Sequence, residues 1–167
     1  HASTARACRR RLSDFVNSHN ISHALARSIA VIVVGYPSPM KSARTELEEL
    51  MRTIPFNEAL GMKVVECGKE SVTLSCRLRE DLRNVAGVLH GGVTASVADA
   101  AVRFAIAYKH GRQRKATTVE LKVNYFLPIS HGNLFAEARL IRDGAKICVG
   151  EVKLYDDQKR LAGAALI

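Results

Sequence analysis

Apolar and polar residues alternate along several stretches of the chain, and a period of two is typical of half-buried β-strands. The Asp143-Gly144 dipeptide between two of these stretches is a strong hairpin-turn signal. The alternation therefore predicts five strands, at 72–78, 117–127, 134–141, 146–155 and 161–167.

One long stretch between the first and second predicted strands has helical spacing instead. Val97, Ala101, Phe104 and Tyr108 repeat every three or four residues across 93–108, which predicts an α-helix there. The glycine at position 111 is well placed to end it.

A shorter helix is predicted at 41–54, with Ser42 as its N-cap and Pro55 as its end. When one long, Ala-rich helix is followed by a meander of strands, its apolar surface is best buried if the sheet wraps around it. The fold class predicted from these patterns is α+β, with a largely buried central helix.

Composition and charge set limits on the interior and on the partners. A chain of 167 residues without Trp and with few aromatic residues fills its core with small side chains, which favours close packing of a helix on a sheet. The net charge of +9 suits an anionic ligand, although solvated surface charge accounts for it equally well. The four cysteines form no CxxC pair and are expected to be structural thiols in a reducing compartment.

The first forty residues differ in composition from the rest, with five Arg, no Lys and a single acid. We expect 1–40 to be an N-terminal extension of uncertain role and 41–167 to be the folded domain. An Arg-rich, acid-poor start is typical of a transit peptide. The expected location is cytoplasmic. If 1–40 is such a peptide, the expected location is mitochondrial instead. No stretch is long and apolar enough to predict a membrane span.

Two features near the start of the long helix are candidates for chemistry. His90-Gly91-Gly92 lies where the helix begins, so unpaired backbone N–H groups there can bind an anion or stabilise an oxyanion. Asp99 lies among Ala and Val on a largely buried helix, where a carboxylate is costly unless it is paired or functional. Arg103, four residues on, is the partner that would make Asp99 structural.

The spacing of these features predicts a site shared between two chains. Seven residues separate Gly92 from Asp99, or about 10 Å along a helix. A carbonyl held at the helix N-terminus is therefore poorly placed for Asp99 of the same chain. If both groups act on one substrate, Asp99 comes from a second chain and the protein is a dimer.

The pattern Asn84-x5-His90-Gly91-Gly92-x6-Asp99 resembles the PaaI-like branch of the hotdog-fold acyl-CoA thioesterases, including the acyl-CoA thioesterase 13 type. The resemblance covers about residues 53–167 and includes the stretch 118–125. It implies a hotdog fold, hydrolysis of an acyl-CoA to free acid and CoA, and a homo-oligomer, either a dimer or a dimer of dimers. No cofactor and no metal are implied.

The resemblance also implies residue roles. Asp99 would be the general base or the nucleophile, and the Gly91 amide would hold the oxyanion. His90 and Asn84 would orient the thioester or the water, and Thr118 would position the water. The implied substrate-binding residues are Gly92, Tyr125, Pro128, Ser130, Arg142, Asp143, Gly144 and Lys146. Arg103 is an unusual charge for the helix of this family.

Two alternatives share the fold. A non-catalytic module that senses acyl-CoA would keep the groove without needing Asp99, and a dehydratase would need a differently placed catalytic His. No nucleic-acid partner is expected, since 1–40 shows no helix-turn-helix pattern. Phosphate-loop and dinucleotide-binding motifs are absent from the sequence, and its histidines do not cluster with carboxylates at metal-ligand spacing.

Overall fold

A computed structural model describes residues 42–112 and 114–167 of the chain. The predicted N-terminal extension, with Cys8, His19 and His23, lies outside the described residues. The described elements, in chain order, are α1 (Ala43–Arg52), α2 (Pro55–Ala59), β1 (Lys63–Cys67), β2 (Ser71–Arg77), a 3₁₀ turn (Glu80–Leu82), α3 (Gly91–His110), β3 (Lys122–Tyr125), β4 (Asn133–Asp143), β5 (Cys148–Tyr155) and β6 (Leu161–Leu166).

The first helix begins where the sequence predicts and ends earlier. Ser42 is its N-cap, and the Ser42 hydroxyl oxygen accepts a hydrogen bond from the Thr45 N–H at 3.2 Å. The helix stops at Arg52, so the prediction that it runs to 54 was wrong. Pro55 instead opens the short helix α2, because a proline without an N–H is well tolerated in the first helical turn.

The strands form one antiparallel sheet in the order β1-β2-β4-β5-β6-β3. Strand β1 was not predicted, because the segment lacks a run of alternating polar and apolar residues. The predicted strand at 117–127 is shorter than expected, since β3 covers only Lys122–Tyr125. Its first residue pairs with Leu166, the last residue of β6, and no strand among the described residues pairs with 117–121.

The long helix α3 packs against β2, β4 and β5 and supplies much of the core. Val97, Ala101 and Phe104 are fully buried on it, as the helical period predicts. At Gly150 of β5 an added Cβ would lie 2.7 Å from the Val102 side chain, so the helix lies too close to this strand for any larger residue. The prediction of an α+β arrangement built on a central helix is confirmed.

The predicted ends of the later elements are largely confirmed. Gly111 caps α3 with a φ of 80°, a left-handed conformation that glycine adopts without strain. The β4–β5 hairpin turns at residues 144–147, and the Gly144 N–H donates to the Ile147 carbonyl oxygen at 3.0 Å. In the described part of the chain no helix is long and apolar enough to cross a membrane.

Candidate active site

The N-terminus of α3 presents backbone N–H groups held by His90. The exposed His90 ring accepts a hydrogen bond at Nδ1 from the Gly92 N–H (2.9 Å), and the His90 carbonyl accepts from Val93 and Thr94. Among the described residues, no acceptor is recorded for the Gly91 N–H. This donor lies at the positive end of a twenty-residue helix, which is the geometry of an oxyanion site.

Asn84 and Tyr125 shape the surroundings of this helix end. The Asn84 side-chain oxygen accepts from the N–H groups of Ala86 (2.9 Å) and Val88 (3.3 Å), which fixes the turn ahead of His90. The Tyr125 hydroxyl donates to the Gly91 carbonyl at 3.0 Å. Asn84, Gly91 and Tyr125 line a cavity of about 380 Å³, which we call the Gly91 cavity.

Asp99 lies further along α3 and is partly buried. The Thr118 hydroxyl donates to Asp99 Oδ1 at 2.5 Å, which joins two residues that the resemblance implies are catalytic. No ion pair joins Asp99 to Arg103 in the described residues, so the reading in which Arg103 neutralises this carboxylate finds no support. Asp99 and Thr118 line a second cavity of about 510 Å³, which we call the Asp99 cavity.

The two sets of predicted catalytic residues therefore lie apart within one chain. Gly91 and Asn84 line one cavity, and Asp99 and Thr118 line the other. Eight residues of α3 separate Gly91 from Asp99, which corresponds to about 12 Å along the helix axis. A thioester carbonyl that is polarised by Gly91 is out of reach of Asp99 in the same chain.

The predicted substrate-binding residues divide in the same way. Tyr125 and Pro128 line the Gly91 cavity, and Gly92 is at the same helix end. Ser130 lies outside that lining, and its hydroxyl is 3.0 Å from His131 Nδ1. The predicted residues of the β4–β5 hairpin lie near the far end of α3, and this hairpin contributes three residues to the Asp99 cavity, Ile147, Cys148 and Val149.

Asp143 is the centre of a cluster of basic groups that ties the hairpin to the end of α3. Its carboxylate lies 2.7 Å from His110 Nε2, 3.1 Å from Lys109 Nζ and 3.4 Å from Arg114 Nη1. Hydrogen bonds from His110 and then Lys109 lower the pKa of Asp143 to about 2. The arrangement fixes the hairpin position, whereas the neighbouring side chains Arg142 and Lys146 are exposed.

Substitution of Asp143 by Asn is expected to lower thermal stability in a pH-dependent way. Because the folded-state pKa is depressed, the contribution of Asp143 is full above its unfolded value of about 4 and is lost as the pH falls towards 2. The Tm difference between wild type and the variant should therefore be constant from pH 6 to about pH 4 and shrink below it. Glu70→Gln removes the same charge from an exposed turn and serves as the control. A Tm difference that does not change with pH would contradict this role.

Several residues of the site gave no usable signal in the sequence. Phe126 and Leu127 line the Gly91 cavity, and Arg114 contacts Asp143 and the Gly144 carbonyl. Their positions depend on how the sheet curves around α3, which places residues that are distant in sequence side by side. The pattern of apolar positions predicts elements and does not predict this curvature.

Comparison with known proteins identifies the relatives of this chain. The sequence profile of the thioesterase superfamily matches residues 86–162. A protein of Saccharolobus solfataricus that is named as an esterase is 30% identical over 128 residues, which cover 77% of this chain and 84% of that protein. A medium/long-chain acyl-CoA thioesterase, YigI, of Salmonella typhimurium is 32% identical over 66% of this chain and 82% of the relative.

Solved structures agree at the level of the fold. The PaaI protein of the Escherichia coli phenylacetic acid degradation operon superposes with a TM-score of 0.67 at 18% identity, over 74% of this chain and 88% of that one. A long helix covered by a six-stranded antiparallel sheet is the hotdog fold, as the resemblance implied. The chain belongs to the thioesterase superfamily, which is a family of thioester hydrolases.

Proposed function

We propose that the protein hydrolyses acyl-CoA thioesters at a site built by two chains, with Gly91 from one chain and Asp99 from the other. The observation that carries the proposal is the separation of these two groups within one chain. Each of the two cavities holds part of the machinery for thioester hydrolysis, and two copies are needed to bring the parts together.

The Gly91 N–H supplies the oxyanion donor. As the carbonyl carbon of the thioester becomes tetrahedral, negative charge develops on its oxygen, and a helix N-terminus with an N–H aimed at that oxygen stabilises it. His90 holds the adjacent Gly92 N–H, and Tyr125 holds the Gly91 carbonyl, so the backbone is fixed before substrate arrives.

Asp99 starts the reaction. As a general base it takes a proton from water, the water oxygen bonds to the carbonyl carbon, and the C–S bond then breaks. The proton passes to the departing thiolate of CoA, and the acyl group leaves as the free acid. As a nucleophile Asp99 would attack the carbonyl carbon, the C–S bond would break with departure of the CoA thiolate, and water would then hydrolyse the resulting anhydride to the free acid and regenerate Asp99. The Thr118 hydroxyl orients the carboxylate in both cases.

An exposed apolar surface beside β3 supports the proposal that a second chain binds there. β3 is an edge strand, and edge strands present unpaired backbone groups that bind another strand. Three apolar or aromatic side chains on or near this strand are exposed, Val119 at 90%, Tyr125 at 55% and Phe126 at 52%. Contiguous exposed apolar groups mark interfaces, so this edge is where we place the contact between the two copies.

The phosphates of CoA suit exposed basic groups that lie outside the lining of the Asp99 cavity. Arg142 and Lys146 are exposed on the hairpin whose residues line that cavity, and such groups bind phosphates. The relative YigI carries the name of an acyl-CoA thioesterase, which supports the same class of substrate.

Mixing two inactive variants tests the proposal. The Asp99→Asn and Gly91→Pro homodimers each lack one essential group in both sites. In a mixed dimer, one site receives Gly91 from the first variant and Asp99 from the second, and is complete. Random exchange of subunits makes about half of the dimers mixed, each with one of its two sites complete, so about a quarter of wild-type activity should return.

The measurement is thiol release from a panel of acyl-CoAs before and after subunit exchange. Two outcomes contradict the proposal in different ways. If the mixture stays inactive although mass spectrometry shows mixed dimers, the site lies within one chain. If the wild type binds acyl-CoA by calorimetry and releases no thiol, the protein is a non-catalytic acyl-CoA-binding module.

A further inference from the structure

We propose that Arg103 binds an anionic group on the acyl portion of the substrate, so that the preferred substrates are acyl-CoAs whose acyl chain ends in a carboxylate. This inference rests on the proposed function and names the substrate class of the same site. The residue is on α3, one helical turn after Asp99, and both line the Asp99 cavity.

Arg103 is a partly buried charge, and no partner is recorded for it among the described residues. Its Nη1 atom is shielded from solvent and has no hydrogen-bond partner in the described chain. No other hydrogen bond and no ion pair is recorded for this guanidinium among the described residues. The other described arginines without a recorded partner, Arg52, Arg77 and Arg142, are all exposed, where water solvates them.

A partly buried guanidinium without an acceptor is costly, because burial of a charge is compensated only by pairing and hydrogen bonding. The guanidinium of arginine stays charged in proteins, so only solvent or an anionic partner offsets that cost. Two acidic side chains line the cavity, Asp99 and Glu120. Neither forms an ion pair with Arg103, and Glu120 is exposed. An anionic group that enters the cavity would supply both the charge and the acceptor.

The geometry of α3 places this charge close to the reacting carbon. Four residues of helix correspond to about 6 Å, and helical side chains lean towards the N-terminus, which here is towards Asp99. The lining of the cavity includes the apolar side chains of Val102, Ile106, Ile147 and Val149. Such a cavity accepts a short methylene chain along its walls and a carboxylate at Arg103.

The test compares acyl-CoAs of equal length that differ only in the terminal group: adipoyl-CoA with hexanoyl-CoA, and suberoyl-CoA with octanoyl-CoA. The measured quantity is the ratio of kcat/KM for the carboxylated substrate to that for the neutral one. For wild type the ratio should exceed one. In Arg103→Leu it should fall about ten- to a hundredfold, the range of a charge-assisted hydrogen bond, and neutral substrates should react faster.

Two further variants sharpen the result. Arg103→Lys keeps the charge and loses the planar pair of donors, so its ratio should lie between those of wild type and Arg103→Leu. Lys153→Met removes a positive charge from an exposed position on β5 and should keep the wild-type ratio. If the wild-type ratio is at or below one and Arg103→Leu does not alter it, the inference is wrong. The proposed function is unaffected by that result.

Failure of the proposed function has a different signature. If no substrate of either pair releases thiol, calorimetry still decides whether wild type binds adipoyl-CoA more tightly than hexanoyl-CoA and whether Arg103→Leu removes that preference. If Arg103→Leu instead weakens assembly in sedimentation and leaves both the kinetic ratio and the binding preference unchanged, Arg103 pairs across the chain interface and the inference is wrong.

Discussion

The Asp99→Asn variant is expected to lose at least a hundredfold in kcat for thiol release. The amide keeps the size of the side chain and its ability to accept the Thr118 hydrogen bond, while it removes the carboxylate that takes the proton or attacks the carbonyl in the proposed mechanism. Loss of a general base costs about 10²- to 10⁴-fold, and loss of a nucleophile costs at least as much. KM should change little, since Asp99 acts mainly in the transition state.

A control separates the chemistry of Asp99 from the loss of a charge. Glu120 lines the same cavity, is exposed and makes no recorded contact with Thr118 among the described residues. Glu120→Gln removes an equal charge from that cavity and should cost less than about tenfold, because a screened charge contributes little. Equal losses in the two variants would mean that the net charge of the cavity, and not Asp99 as base or nucleophile, sustains the reaction.

The Gly91→Pro variant should lose about a hundred- to a thousandfold in kcat, the range measured when one oxyanion donor is removed. Gly91 is the first residue of α3, and proline is well tolerated at this position because its missing N–H has no partner within the helix. His90 has φ −60° and ψ 133°, the extended conformation that a residue before proline adopts. The substitution therefore deletes the N–H with little change in the backbone.

Gly91→Ala is the matched control for this variant. A Cβ at position 91 would lie 3.6 Å from the Tyr125 ring, an ordinary van der Waals distance, and the N–H is retained. Alanine should keep most of the wild-type kcat, and circular dichroism should show both variants folded. If alanine costs as much as proline, crowding against Tyr125 and not the missing donor explains the loss, and the oxyanion role of Gly91 is wrong.

Elements whose pattern depends on local burial could be predicted from the sequence. The helix α3 shows its period because one face packs on the sheet, and its glycine cap at 111 marks its end. The hairpin between β4 and β5 follows from Asp143-Gly144. The candidate site residues at the start of α3 were predicted for a similar reason, since glycines at a helix N-terminus form a local feature that can bind an anion.

Features that depend on distant contacts could not be predicted in this way. The strand expected at 117–127 alternates along its whole length, yet only its end meets β6. Asp143 looks like a turn residue, and its role comes from His110 and Lys109, more than thirty residues earlier. Arg103 was visible as an unusual charge, but only the fold shows that its guanidinium lacks an acceptor among the described residues.

The contact between Gly150 and Val102 also affects the chemistry of the cavity. Val102 lines the cavity from α3, between Asp99 and Arg103 in sequence, and Gly150 follows Val149, which lines the cavity from β5. The absence of a side chain at 150 thus sets how far apart these two walls stand. In the proposed function the Asp99 cavity holds the acyl chain, so the width of the chain that can enter would depend on Gly150, a residue outside the cavity lining.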